Sequence, residues 1–226
     1  MMPNLQPAID AILRVRGMAP AERSVLTAIS GIDGSGKGYV SERLAAALRA
    51  RGLRVAVVNA DGWLRLPHER FSEANPGEHF YRHAIRFDEL FGELVLPLRD
   101  QRSCRITMDF VAETATRTRR ETVEFDDVDV IILEGIFLLK RRLRAHYDLS
   151  IWVDCSFATA LQRAIARGQE GLDPEATARA YRRIYFAAQE IHFSRDEPRK
   201  AATLIIGNDR ANRPAAVPQP VELQPC

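Results

Sequence analysis

The sequence predicts an α/β fold: a mostly parallel, doubly wound sheet with flanking helices, a β-hairpin insertion and a short helical lid. Three observations predict it. Short β-branched apolar runs alternate along the chain with alanine- and leucine-rich stretches of helical character. The first such run, Ser24–Ser30, ends in a glycine cluster that feeds a helix. Two segments of alternating pattern, Cys104–Phe110 and Arg119–Phe125, flank the turn-like AETATRT.

The elements follow in order. Leu5, Ile9, Ile12 and Leu13 share a helical face, so residues 5–16 predict an amphipathic helix ahead of the first strand. Lys37–Arg51 predicts a helix that stops at Gly52, and Arg54–Ala60 a second strand. Residues 63–78 are polar and turn-rich. Phe80–Leu98 keeps Ile85, Leu90, Phe91, Leu94 and Leu98 in helical phase. After the hairpin come two buried strands, Val128–Leu133 and Leu149–Val153, and a helix over 157–167. Gly168–Asp173 breaks that helix. Pro174 suits the first turn of another, running to about Phe193, and Ala202–Ile206 is the last strand.

These elements suggest one domain over 1–210, with the hairpin insertion at about 102–126 and the lid at about 163–180. The stretch 211–226 has several prolines and no periodicity, which predicts a disordered tail.

Composition narrows the function classes. With 226 residues, 46% hydrophobic and 27% charged, the chain can bury a sizeable core. A net charge of +2 argues against a dedicated nucleic-acid partner. Cys104, Cys155 and Cys226 form no CxxC pair, so neither a disulfide framework nor a zinc ribbon is indicated. No apolar run is long enough to span a membrane, and the start has no secretory pattern. A cytoplasmic protein is expected, and its oligomeric state is left open. Of 32 basic residues only Lys37, Lys140 and Lys200 are lysine. The basic run from Lys140 to Arg144 reads as a solvated connection between strands.

The sharpest motif is Gly31-Ile32-Asp33-Gly34-Ser35-Gly36-Lys37, a G-x-x-x-x-G-K run between strand and helix. Glycines let backbone N–H groups turn toward phosphate oxygens, and the helix N-terminus adds unpaired N–H groups. Lys37 supplies a mobile cation for the β- and γ-phosphates, where a planar guanidinium would fit poorly. Gly31, Asp33, Gly34, Ser35, Gly36, Lys37, Gly38 and Tyr39 are therefore the candidate nucleotide-binding residues. Gly38 replaces the hydroxyl residue that usually follows the lysine and touches Mg²⁺.

Two acids sit at strand ends, where ligands of doubly wound sheets bind: Asp61 in NADGWL and Glu134 in VIILEG. One carboxylate there can take the proton of an attacking hydroxyl, and another can hold Mg²⁺ or its waters.

These residues resemble the uridine kinase, phosphoribulokinase and pantothenate kinase family of P-loop kinases, and most nearly its uridine kinase-like members. GIDGSGKG resembles the family's phosphate loop, and NADGWLRLP its second-strand motif. NPGEHFYRHAIRFDEL resembles the acceptor-side segment. TRRETVEFDDVDVIILEGIF is similar to the hairpin and the strand ending in Glu-Gly, and VDCSFATALQRAIARGQEG to the strand and arginine-bearing lid. The resemblance spans most of residues 24–208 and implies a P-loop NTPase fold and an ATP-dependent phosphotransferase acting on a small-molecule hydroxyl.

By the same resemblance Asp61 is the base, Glu134 the magnesium-side carboxylate, and Asn208 lies near adenine. Arg163 and Arg167, four apart on a predicted helix, would reach over the transferred phosphoryl. The hairpin stretch TMDFVAETATRTR departs from uridine kinases: Met108 stands near the tyrosine place and no histidine is present. Asp61, His79, Tyr81, Arg82, His83, Asp109 and Arg119 are the candidate acceptor-binding residues. His79 and His83 share a helix face, but no third ligand at a telling spacing supports zinc. The competing reading is a regulatory nucleotide-binding P-loop protein with little or no kinase activity, which would need no deep acceptor cavity.

Overall fold

A computed structural model describes residues 3–168 and 170–209. Five strands form one sheet in the order β2-β5-β1-β6-β7. They are β1 (Val25–Gly31), β2 (Val55–Asn59), β5 (Val130–Gly135), β6 (Leu149–Asp154) and β7 (Leu204–Gly207), and every neighbouring pair is parallel. The sheet is thus wholly parallel, and the antiparallel pairing is confined to the separate hairpin of β3 (Cys104–Phe110) and β4 (Arg119–Phe125).

Burial follows from layering. β1 and β5 are buried along their whole length because helices cover both faces, which explains their continuous apolar sequences. Val25 and Ile29 point to one side, against Ile9 and Ile12 of helix Gln6–Met18 and Leu44 and Leu48 of helix Lys37–Arg49. Leu26 and Ala28 point to the other, against Phe80, Phe87, Leu90 and Leu94. A third cluster, with Trp152, Ala160, Ala164 and Tyr181, seats the lid side.

The predicted single helix over 80–98 is two. One runs Pro76–His83, and a second spans 87–101 with a π-helical stretch at Leu90–Val95. Between them Ile85 leaves the helix to bridge Leu64, and the Arg65 and Arg86 N–H groups donate to the carbonyls of Ala84 and Trp63. Periodicity alone did not reveal this pairing, because Ile85 is buried in either arrangement. The last long helix runs continuously over 174–196. The stretch 211–226 lies outside the described residues.

The register aligns the chemistry at one edge. Asn59 pairs with Glu134, Glu134 with Ile29, and Gly31 with Val153. Beyond these carboxyl ends lie the glycine loop, the Asp61 turn and helix Phe157–Arg167, at the place where such sheets bind ligands.

Candidate active site

The loop after β1 is shaped by close approach. Gly34 and Gly36 have φ of +74° and +87°. A Cβ at Gly34 would stand 2.5 Å from the carbonyl oxygen of Ala160, and one at Gly36 2.4 Å from Nδ2 of Asn208. Only glycine meets both demands. Gly36 opens helix Lys37–Arg49 without a side-chain cap, leaving the first N–H groups to face a ligand. Lys37 is 8% exposed, and its Nζ donates to the carbonyl of Ile32 (3.1 Å), which folds it back over the loop.

Asp61 sits in a 3₁₀ turn, Ala60–Trp63, one step beyond β2. Its N–H donates to Oδ1 of Asn59 (2.8 Å). Two cavities meet at this residue. One, of about 230 Å³, is lined on the phosphate side by Asp33, Lys37, Arg70, Glu134 and Arg167. The other, of about 400 Å³, lies under the hairpin. Asn59, Asp61, Leu64 and Glu113 border both.

The electrostatics are those of crowded carboxyls. Burial raises the Asp61 carboxyl above its ordinary range, opposed by Lys37, Arg167 and Arg70. Asp33 is raised by burial and by Asp61, against Lys37. Burial pushes Glu134 up to about 7, with Lys37 pulling the other way and Asp61 and Asp33 reinforcing it. Carboxyls so displaced and gathered around one lysine in a cleft mark a candidate site.

This geometry gives the comparisons their meaning. Residues 26–184 match the family model of the Phosphoribulokinase / Uridine kinase family. The chain belongs to that family. A uridine kinase of Staphylococcus haemolyticus (strain JCSC1435) is 30% identical over 199 residues, 85% of this chain and 91% of that one. Another, from Limosilactobacillus reuteri (strain DSM 20016), is 31% identical over 148 residues, 65% of this chain and 66% of that one. Among solved structures, a protein of Silicibacter sp. TM1040 described as a candidate fructose transport system kinase aligns with TM-score 0.69 and 26% identity, covering 89% of this chain and 98% of that chain. A phosphoribulokinase from Rhodobacter spheroides shares the fold at TM-score 0.55 and 12% identity, over 83% of this chain and 71% of its own.

Within this kinase family's frame the remaining residues divide. Arg167 borders the phosphate-side cleft and donates to Glu170 Oε1 (3.1 Å). Arg163 does not reach over the cleft. Its guanidinium donates to the carbonyls of Ser35 (3.1 Å) and Asn208 (2.7 Å), so it braces the loop from outside. Asn208 joins it, donating from Nδ2 to the Ser35 carbonyl (2.7 Å). Tyr39 points away from the cleft, toward Arg43 and the first helix, with Arg43 5.9 Å from its ring centroid.

Of the seven proposed acceptor residues only Asp61 borders either cavity, and the four on helix Pro76–His83 lie outside both. Tyr81 is buried behind Phe80, where its hydroxyl donates to Asp196 (2.5 Å) and Lys140 sits 4.1 Å from its ring centroid. That burial also corrects the solvated reading of Lys140, which is 8% exposed and pushed down to about 8 by desolvation. Arg82 and His83 are exposed, and Arg82 pairs with Glu78. His79 contacts the Glu69 carbonyl (2.8 Å), and its ring lies tilted against that of His83. The side of the helix that borders the cleft is that of Phe80.

On the hairpin the alternation places Asp109 opposite Arg120, on the face away from the hairpin-side cavity. Arg119 is exposed and engages Glu121 and the Phe110 ring. Met108, Phe110, Val123 and Phe125 line the cavity instead.

Three contributors carried no sequence signal. Arg70 emerges from a polar stretch, Glu113 from a turn, and Tyr185 from a helix face, and all three border the phosphate-side cleft. Arg70 is 3% exposed, donating to the carbonyls of Arg65 (2.8 Å) and Glu113.

The residues present fit a magnesium ion that arrives with phosphate. A Cβ at Gly38 would lie 3.5 Å from Oε2 of Glu134, so the glycine leaves that carboxylate beside the helix start, a hard oxygen donor suited to Mg²⁺. Among the described residues no three His, Cys, Asp or Glu side chains converge to hold an ion unaided. Also among them, no helix is long and apolar enough to cross a membrane.

Proposed function

We propose that this chain is an ATP-dependent phosphotransferase that moves the γ-phosphate of ATP to a hydroxyl of a small molecule. The observation that carries it is Asp61, placed where the phosphate-side cleft and the hairpin-side cavity meet. The loop N–H groups and Lys37 hold the phosphates. Asp61 accepts the proton of the acceptor hydroxyl as its oxygen attacks the γ-phosphorus, and ADP leaves. Lys37 and Arg167 face the charge that spreads over the transferred oxygens, the largest contribution in this class of reaction. Magnesium, when bound, would neutralise phosphate charge, and Glu134 would hold it or its waters. Arg163 and Asn208 act through the loop, fixing its shape before nucleotide binds.

A cavity of about 400 Å³ beside Asp61 favours this reading over a regulatory switch, which needs no acceptor pocket. The test is acceptor-dependent ADP release across nucleosides, sugars, glycerate and pantothenate, with Asp61→Asn as control. Release by the wild type and its loss in the variant support the assignment. Nucleotide binding without acceptor-dependent release by any compound supports the switch.

A further inference from the structure

The hairpin-side cavity is chemically one-sided. Its apolar wall is made of Trp63, Met108, Phe110, Val123 and Phe125, and its charged groups are the carboxyls of Asp61, Glu113 and Glu121. Among the described residues no lysine or arginine borders it. The cations near the junction, Lys37, Arg70 and Arg167, all belong to the phosphate-side cleft. Arg119 is 71% exposed with its guanidinium on Glu121, and Arg120 lies across from Asp109.

Glu113 is fixed at the junction through its backbone. Arg70 donates to its backbone carbonyl and so ties the loop after β3 to the floor of the site. Its carboxyl borders both cavities, and burial, reinforced by Glu170 and Asp33, pushes it up to about 7. Above about pH 7, where Glu113 is ionised, like-charge contact in a partly desolvated cavity disfavours an anion, whereas a carboxylate accepting from a neutral hydroxyl is favoured.

We propose that the acceptor is an uncharged polyhydroxy compound with one apolar face, and that Glu113 selects it by hydrogen-bonding a hydroxyl next to the one Asp61 deprotonates. Alcohols carrying a carboxylate or phosphate are rejected. This rests on the kinase reading above.

The test measures acceptor-dependent ADP release by the full chain. Uridine, fructose and glycerol serve as neutral probes, and glycerate, pantothenate and ribulose 5-phosphate as anionic ones. At least one neutral compound is expected to exceed every anion in kcat/KM by about a hundredfold or more. In Glu113→Gln, KM for that compound rises about tenfold while KM for ATP stays within about twofold. The tie to Arg70 uses the backbone, so the substitution leaves the loop in place.

An anion turned over as well as the neutral compounds, or an unchanged acceptor KM in Glu113→Gln, overturns the proposal while leaving the kinase intact. If no compound promotes ADP release, the kinase reading fails and calorimetric titration of the same compounds decides the selectivity. Binding of neutral compounds alone, weakened in Glu113→Gln, upholds it. Binding of anions, or of nothing, overturns it.

Discussion

The two cavities on either side of Asp61 are built by opposite methods. The phosphate side is organised around one continuous segment, Gly31–Lys37, with side chains of Arg70, Glu134, Arg167 and Tyr185 set about it and Arg163 and Asn208 bracing it from outside. The hairpin side is assembled from side chains of the Asp61 turn, helix 87–101, both hairpin strands and the loop between them. Phosphate is the same in every nucleotide, so a fixed backbone cradle suffices for it. Acceptors differ, and a wall of interchangeable side chains on a hairpin is where difference can be accommodated.

The experiments that would break this contrast run from large effects to small. Asp61→Asn should lower turnover by about 10² to 10⁴ while nucleotide affinity, measured by calorimetry, stays nearly constant. A loss of nucleotide binding instead would place Asp61 on the phosphate side alone. Lys37→Met should cost about 10² to 10³ in kcat and weaken nucleotide binding as well, since one buried donor serves both states. Arg163→Ala should raise KM for ATP about tenfold with acceptor KM unchanged, because it loosens the cradle without touching the hairpin.

Next comes pH. Glu134 titrates near 7 in the folded protein against 4.5 for a free glutamate, so above 4.5 the unfolded chain loses a proton that the folded one keeps. Stability of the nucleotide-free protein should therefore fall as pH rises from about 5 to 7, and Tm measured across that range should decline less in Glu134→Gln. Asp109→Ala and Arg82→Ala should each change acceptor KM by less than about twofold, since their partners Arg120 and Glu78 lie outside both cavities. A large effect from either would move the acceptor site.

The same contrast sets how much the sequence discloses. The loop was readable because its seven residues are consecutive and each has a local reason to be there. Asp61 and Glu134 were readable from strand ends, and the hairpin from its alternation. Arg163 misled because a helix face indicates which arginines lie together, not that one of them bends under the loop to meet Ser35 and Asn208. Tyr81, Arg82 and His83 misled because the segment around them turns a neighbour, Phe80, to the cleft. Glu113 and Arg70 were invisible: they meet across 43 positions, through a backbone carbonyl that no residue type announces.

The carboxyl-lined wall has a consequence for the end of the turnover. On the proposed reading a neutral acceptor enters without opposition, but once phosphorylated it carries a dianion past the carboxyls of Asp61 and Glu113. The compartment that welcomes the substrate is hostile to the product. On that reading the transferred charge favours departure, and a phosphorylated acceptor should be a feeble inhibitor of its own formation.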